Sequence, residues 1–312
     1  MVINLKGDSH RFLYKAMKVF YTDHAGSEYD YVLYDILSNV EKEVELFNKT
    51  NMLSLLKRTD IIKNNIFVVN DDCTLEDIVA VVKHIQPRVI LYLSDETGTH
   101  RDRMILEQYA PVFFRQYNHK HYTYGPNNYQ MPLGYLKYYL KGKCSSILPP
   151  KKMAERTINC SFIGTPKSDR VHMLNLFYAN MKNTMLVPVK NNWNFENMPV
   201  SQQTCFETYG NSIFVINGRG NCSLDCFRIY EAIVAGAIPV IVGSAEEINT
   251  TFHYNNKRPP LMYEESWEKA LVRCNTLLGK PEALQILQNE LLTWWKDQHT
   301  TIHSLIQTAL SV

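Results

Sequence analysis

The sequence lacks a strong net charge. Its 312 residues include 33 Lys and Arg against 31 Asp and Glu, which leaves a formal charge of +2. So small an excess argues against a protein that neutralises a nucleic-acid backbone, and we expect no nucleic-acid partner. Apolar residues make up 45% and charged residues 21%, ordinary proportions that argue against disorder or a coiled coil. The length predicts two domains.

The sequence also lacks long apolar runs and paired cysteines. No run approaches 18 apolar residues, and the first ten residues contain no hydrophobic stretch, so we expect neither a signal peptide nor an integral membrane segment. The seven cysteines form no Cys-x-x-Cys pair, and an odd number fits a reducing compartment better than a disulfide framework. These features predict a cytoplasmic protein and leave its oligomeric state open.

Short β-rich runs alternate with helical runs in two successive series. Helices between apolar strands indicate βαβ units and parallel sheets covered on both faces. Between the series, residues 141–156 have two adjacent prolines, several lysines and no periodicity, which is typical of a linker. We therefore predict an α/β fold with two Rossmann-like, doubly wound domains, at residues 1–140 and 157–280, and a C-terminal helix over 281–312. Such domains bind ligands beyond the carboxyl ends of their strands, so we expect the site in a cleft between them.

The segment 212–242 carries the most information. It reads as a strand, a Gly-rich loop, a helix over 223–236 with Ser223 as its N-cap, and a second strand. Glycines permit close backbone approach, and the free N–H groups of the next turn suit an anion. Arg228 and Glu231 share one helix face, where Arg could pair with phosphate and the carboxylate with a vicinal diol. The alternative is an intrahelical ion pair on a solvated face.

The same loop also resembles the dinucleotide-binding pattern G-x-G-x-x-G, with Ser in the third place. That pattern expects an acidic residue at the end of the next strand to hold a ribose, whereas this strand closes on Gly243. A nicotinamide-dependent oxidoreductase is therefore an alternative function. A non-catalytic, two-lobed sugar-binding protein is another.

The spacing S…R..E….G.IPV in this segment resembles the exostosin-like glycosyltransferases of family 47, which are inverting enzymes of the GT-B class. Similarity extends to an F-x-G…R pattern and to a Met-Pro-Leu-Gly segment before the linker. Enzymes that transfer xylose, such as ribitol xylosyltransferase and chlorella-virus glycosyltransferases, look closest in layout. The residues that carry the resemblance are Ser223, Arg228, Glu231, Gly236, Ile238-Pro239-Val240, Phe162-Ile163-Gly164, Arg170 and Met131-Pro132-Leu133-Gly134.

The resemblance implies an inverting glycosyltransferase that moves a sugar, with xylose as the best guess, from a UDP-sugar to a hydroxyl of a glycan or polyol. The N-terminal domain would bind the acceptor and the C-terminal domain the nucleotide sugar. Typical cellular members carry an N-terminal anchor, so the expected location is the cytoplasm, as for a viral enzyme, or the Golgi lumen if the chain is a truncated ectodomain. The expected donor-binding residues are Gly164, Thr165, Arg170, Arg219, Ser223, Arg228 and Glu231, with Trp193 as a candidate to flank the base.

We expect no metal and no cofactor beyond the UDP-sugar. A metal-dependent transferase would show Asp-x-Asp after an apolar strand, and only Asp71-Asp72 comes near, with the wrong spacing. The charge that grows on the leaving nucleoside diphosphate would instead be stabilised by Arg side chains and helix N–H groups.

The catalytic base should follow a strand of the N-terminal domain, facing the donor across the cleft. Asp95 and Glu96 close the apolar run that begins at Arg88, and His24 follows another strand. We expect Asp95 to be the base, with Glu96 and His24 as the other candidates. Alternatively, either carboxylate could cap the next helix or pair with Arg101 or Arg103.

Overall fold

The computed structural model describes residues 16–23, 26–59, 64–147, 149–190 and 199–311. Within them, eleven strands form two entirely parallel sheets. The N-terminal sheet has six strands in the order β2-β1-β3-β4-β5-β6, and the C-terminal sheet has five in the order β11-β10-β9-β7-β8. The predicted architecture of two doubly wound parallel sheets is confirmed.

Each sheet has its topological switch point beside its first strand, where the chain order reverses. In the N-terminal sheet β1 lies between β2 and β3, and in the C-terminal sheet β7 lies between β8 and β9. Helices that leave neighbouring strands on opposite faces open a crevice at their carboxyl ends. The strand bounds are β1 Met17–Thr22, β2 Lys42–Phe47, β3 Asn65–Val69, β4 Val89–Tyr92, β5 Val112–Arg115, β6 Asn128–Gln130, β7 Ile158–Gly164, β8 Thr184–Pro188, β9 Ser212–Asn217, β10 Ile238–Val242 and β11 Met262–Glu264.

Several helices begin at Ser or Thr because these side chains satisfy backbone N–H groups that the first turn leaves free. The Oγ1 atom of Thr74 and the Oγ atoms of Ser201, Ser244 and Ser266 each accept such a hydrogen bond. The helices are α1 Tyr29–Tyr31, α2 Leu75–Ile85, α3 Arg170–Asn180, α4 Gln202–Asn211, α5 Phe227–Val234, α6 Ala245–Thr251, α7 Trp267–Leu278 and α8 Pro281–Leu310. Among the residues that the structure describes, no helix is both long and apolar enough to cross a membrane.

Two of the predicted helices differ from the structure. The residue types from about Tyr31 to Asn48 predict a helix, and this prediction holds only at its start: a short helical segment ends at Ile36, and strand β2 follows. Charged residues with good helix propensity occupy this strand, but pairing along β1 overrides propensity. The helix predicted over 223–236 is shorter at both ends, and its N-cap is Cys226.

The long helix α8 joins the two sheets. Near its start, Gln288 Nε2 donates to the carbonyl of Gly236 at 2.7 Å, in the C-terminal half. Near its end, the carbonyl of Ala309 accepts from Arg88 Nε of the N-terminal half at 2.8 Å. The helix therefore fixes the relative position of the two halves and of the cleft between them.

Candidate functional site

A cleft of about 1020 Å³, a volume that includes open solvent at its mouth, lies between the carboxyl ends of the two sheets. Its C-terminal wall is built at the switch point between β7 and β9, as the doubly wound topology requires. The N-terminal half contributes Glu96, Tyr117 and Leu136 to the lining. The C-terminal wall includes Ile163, Gly164, Thr165, Lys167, Arg170, Gln202, Tyr209, Gly220, Asn221, Arg228 and Glu231.

Arg228 is held rigidly across the ends of two strands. Its Nε donates to the carbonyl of Ile163 at 3.1 Å, and its Nη1 donates to Asn217 Oδ1 at 3.2 Å. The guanidinium also lies over the ring of Phe162, 4.5 Å from the centroid. A Cβ on Gly164 would lie 2.3 Å from Arg228 Nη2, so only glycine allows the guanidinium to sit at the end of β7. Arg228 is therefore preorganised in the cleft wall.

Arg170 brings a second guanidinium to the same wall from the start of α3. Its Nη1 donates to the carbonyl of Thr165 at 3.1 Å, while its buried Nε has no hydrogen-bond partner among the described residues. Burial lowers the pKa of Arg170, and the positive charge of Arg228 lowers it further. Two guanidiniums close enough for the charge of Arg228 to act on Arg170 suit a ligand with negative charge.

Glu231 lies one helical turn beyond Arg228 and lines the cleft. Its Oε1 accepts from the backbone N–H of Leu136 in the N-terminal half at 3.3 Å. Burial raises the pKa of Glu231 to about 7, although the charge of Arg228 opposes the shift. Arg170, Arg228 and Glu231 thus meet in one cleft, as the sequence predicted, with cations beside a carboxylate.

Ser223 and Arg219 occupy other places than expected. Ser223 does not cap α5, because its Oγ accepts from the N–H of Asp225 at 3.0 Å within the loop. Arg219 forms a bidentate ion pair with Glu247, in which Nη2 lies 2.7 Å from Oε2. Arg219 is not among the residues that line the cleft. The Gly-rich loop turns these two side chains away while its backbone faces the cleft.

Glu96 reaches across the cleft into that loop. Its Oε1 accepts from the backbone N–H groups of Asn221, of Cys222 at 2.9 Å and of Ser223 at 3.4 Å. Its Oε2 accepts from Asn221 Nδ2 at 2.8 Å. A carboxylate of the N-terminal half therefore occupies a group of N–H donors on the C-terminal half.

Asp95 is placed differently from its neighbour. Its side chain is fully buried and pairs with Arg115 Nη2 at 3.1 Å, while Oδ2 also accepts from Tyr122 Oη at 2.5 Å. Ser94 and Asp95 both adopt left-handed backbone conformations, with φ of 74° and 72°. This turn directs Asp95 into the N-terminal half and Glu96 into the cleft, so the placement does not support Asp95 as the base.

The remaining candidates, His24 and Trp193, lie outside the described residues. Sequence reasoning missed Tyr117, which is buried in the cleft wall and has a left-handed backbone with φ of 49°. Its signal was its position two residues after β5, at the carboxyl end of a strand. Leu136 and Tyr209, which also line the cleft, had no comparable signal.

Solved structures share the architecture of this chain. The structure of Anabaena Alr3699/HepE in complex with UDP is similar with a TM-score of 0.53 and 11% sequence identity, covering 95% of this chain and 100% of that one. The same protein in complex with UDP-glucose gives a TM-score of 0.51 and 11% identity, over 95% and 99% of the two chains. At this identity the likeness shows the fold alone, which is the GT-B fold that the sequence predicted.

The family is shown by sequence. The chain belongs to the family whose model is described as the RXYLT1 C-terminal domain, which matches residues 145–310, more than half of its length. This agrees with the predicted resemblance to ribitol xylosyltransferase. The resemblance to exostosin-like and chlorella-virus enzymes stays a prediction. A search of curated proteins found no match.

Proposed function

We propose that this protein is an inverting glycosyltransferase that moves a sugar from a UDP-sugar to a hydroxyl of a glycan or polyol without a metal ion. The observation that carries the proposal is the convergence of Arg170, Arg228 and Glu231 at the switch point between β7 and β9. The family match and the fold support it. Xylose is the proposed sugar because the family description refers to a xylosyltransferase.

The two guanidiniums would stabilise the leaving group. As the acceptor oxygen forms its bond to the anomeric carbon, the bond from that carbon to the diphosphate oxygen breaks and leaves its electron pair on UDP. Arg228, fixed by Ile163 and Asn217, and Arg170, which lines the same cleft, would meet that charge. They take the role that a metal ion has in other transferases.

The acceptor must lose a proton during this step, and we assign the base to Glu96. Of the three candidates, Glu96 lines the cleft, Asp95 is buried in an ion pair, and His24 lies outside the described residues. The hydroxyl proton becomes acidic only as the new C–O bond forms, so a carboxylate serves as the acceptor for it. Tyr117 and Leu136 would form the acceptor side of the cleft.

Isothermal titration with UDP and NAD, followed by a UDP-sugar panel, tests the proposal. We expect UDP to bind without divalent metal, UDP to be released from UDP-xylose in the presence of an acceptor, and EDTA to leave transfer nearly unchanged. Binding of NAD instead of UDP would support an oxidoreductase. Binding of sugar with no release of UDP from any donor would support a non-catalytic sugar-binding protein. Loss of transfer on chelation would overturn metal independence.

A further inference from the structure

The backbone N–H groups of residues 221–223 form a cradle that already holds an anion. Three consecutive amides point to Glu96 Oε1, and the side-chain amide of Asn221 points to Oε2. The amides belong to the C-terminal half and the carboxylate to the N-terminal half. A carboxylate accepting several backbone hydrogen bonds is a charge-assisted arrangement, stronger than neutral hydrogen bonds.

We propose that this cradle is a binding site for a phosphate group of the nucleotide, and that Glu96 is an internal latch that occupies it until the donor arrives. The inference rests on the proposed function for the identity of the ligand as a nucleoside diphosphate. Carboxylate and phosphate oxygens accept the same N–H donors, and backbone N–H groups that converge on one point bind such anions. The two anions cannot occupy the cradle together.

A second observation independently indicates a phosphate ligand. Arg170 is only 5% exposed, yet its Nε has no hydrogen-bond partner within the residues that the structure places. Arg170 lines the same cleft as Asn221 and Glu96. Buried polar groups are nearly always satisfied in native proteins, so an unpartnered guanidinium nitrogen beside an anion cradle calls for an additional acceptor. A phosphate has more acceptor oxygens than the carboxylate of Glu96, so it could accept from Arg170 as well as from the cradle.

Gly220 shows how closely the latch fits. A Cβ at this position would lie 2.3 Å from Glu96 Oε1, so glycine gives the carboxylate access to the cradle. The latch thereby joins the two walls of the cleft. A ligand that needs the cradle must first displace Glu96. Its apparent affinity is therefore its intrinsic affinity multiplied by the fraction of molecules whose latch is open.

The test compares wild type with Glu96→Ala and Glu96→Gln by isothermal titration, with UDP, inorganic pyrophosphate and uridine as probes. Glu43→Ala, which removes an exposed carboxylate from the edge strand β2, controls for the change in net charge. We expect Glu96→Ala to bind UDP and pyrophosphate about tenfold more tightly, with a smaller gain for Glu96→Gln because an amide oxygen still accepts hydrogen bonds. Uridine has no phosphate, so its affinity should not change.

Equal or weaker binding of pyrophosphate by Glu96→Ala, or an equal gain in Glu43→Ala, overturns the latch. Should Glu96→Ala fail to fold, Asn221→Ala removes the 2.8 Å contact to Oε2 and the hydrogen bond from Lys167 Nζ to Asn221 Oδ1. It leaves the backbone N–H groups of the cradle in place and should still tighten pyrophosphate binding by a smaller factor. The failures of the two proposals are distinguishable. If pyrophosphate gains affinity but UDP does not bind at all, the latch stands and the nucleotide assignment fails. If UDP binds wild type and all variants with equal affinity, the nucleotide assignment stands and the latch fails.

Discussion

Arg228 lies where a side chain on Gly164 would begin, with Nη2 only 2.3 Å from the position of an added Cβ. The glycine at the end of β7 and the arginine of α5 are 64 residues apart in the chain. The guanidinium can occupy this position only because residue 164 has no side chain. Their relationship fixes the cation at the switch point, and it gives the first prediction.

Gly164→Ala should displace Arg228 and weaken UDP binding by about 10- to 100-fold, since a charge-assisted hydrogen bond to an anion contributes roughly 1.5–3 kcal/mol. Gly210→Ala is the matched control, because an added Cβ there meets nothing within 4 Å. Gly210 lies in α4, so this variant should be as stable as wild type or slightly more so. Unchanged UDP affinity in Gly164→Ala, measured by titration, would contradict the role of Arg228.

Arg228→Ala should lower the transfer rate by about 30- to 1000-fold, because it removes stabilisation of the leaving diphosphate in the transition state. Arg219→Ala should change it little, since the structure pairs Arg219 with Glu247 outside the cleft lining. Steady-state kinetics of both variants test this, once their melting temperatures have been shown to equal that of wild type. Wild-type turnover in Arg228→Ala would refute the donor site.

Glu96→Gln should reduce the transfer rate by about 100-fold or more, because one general base contributes 10² to 10⁴. Asp95→Asn breaks the buried pair with Arg115, so it should lower the melting temperature instead of acting on the chemical step alone. Rates are compared at a temperature where both variants are folded. A folded Glu96→Gln enzyme with parental turnover would exclude Glu96 as the base.

Three buried carboxyl groups should make the protein less stable as pH rises. Burial raises the pKa of Glu28 and of Glu231 to about 7, and that of Asp225 to about 8. In the window between the unfolded values of about 4 and these folded values, the folded state binds more protons than the unfolded state. Their contribution is therefore complete below the unfolded pKa and is lost as pH rises through the folded pKa. Urea melts from pH 5 to 8 should show the decline.

Asp225→Asn should flatten the pH dependence, because Asp225 is fully buried and its Oδ2 has no partner in the described structure. An exposed carboxylate, Glu76 at the first turn of α2, gives the control variant Glu76→Gln, which should keep the wild-type slope. If Asp225→Asn keeps that slope as well, the raised pKa is not responsible.

Arg156→Ala should destabilise the fold by about 3 kcal/mol or more, because it leaves buried carbonyls without donors. Arg156 donates to the carbonyls of Tyr209, Ser212 and Ala235 at 2.7–3.1 Å. The half-exposed pair of Arg58 and Glu45 is the contrast, and Arg58→Ala should cost less than about 1 kcal/mol. Equal effects of the two variants in chemical denaturation would show that the buried arginine is not structural.

Residue types along the chain determined the fold class. Apolar strands alternating with amphipathic helices can bury their surfaces only as parallel sheets covered on both faces, so both sheets and the cleft between them followed from the pattern. The spacing of Arg228 and Glu231 placed both on one helix face, and the family resemblance assigned them, with Arg170, to the donor wall. The fold class depends on local periodicity, which a sequence records directly.

Only the tertiary structure decided which neighbouring side chains reach the cleft. Asp95 and Glu96 are adjacent and chemically alike, yet the left-handed backbone at Ser94 and Asp95 sends the first into an ion pair with Arg115 and the second across to the loop at 221–223. Likewise, Arg219 pairs with Glu247, 28 residues away. A side chain's direction is set by backbone dihedrals and by partners distant in sequence, and neither is encoded in the periodicity of a single strand or helix.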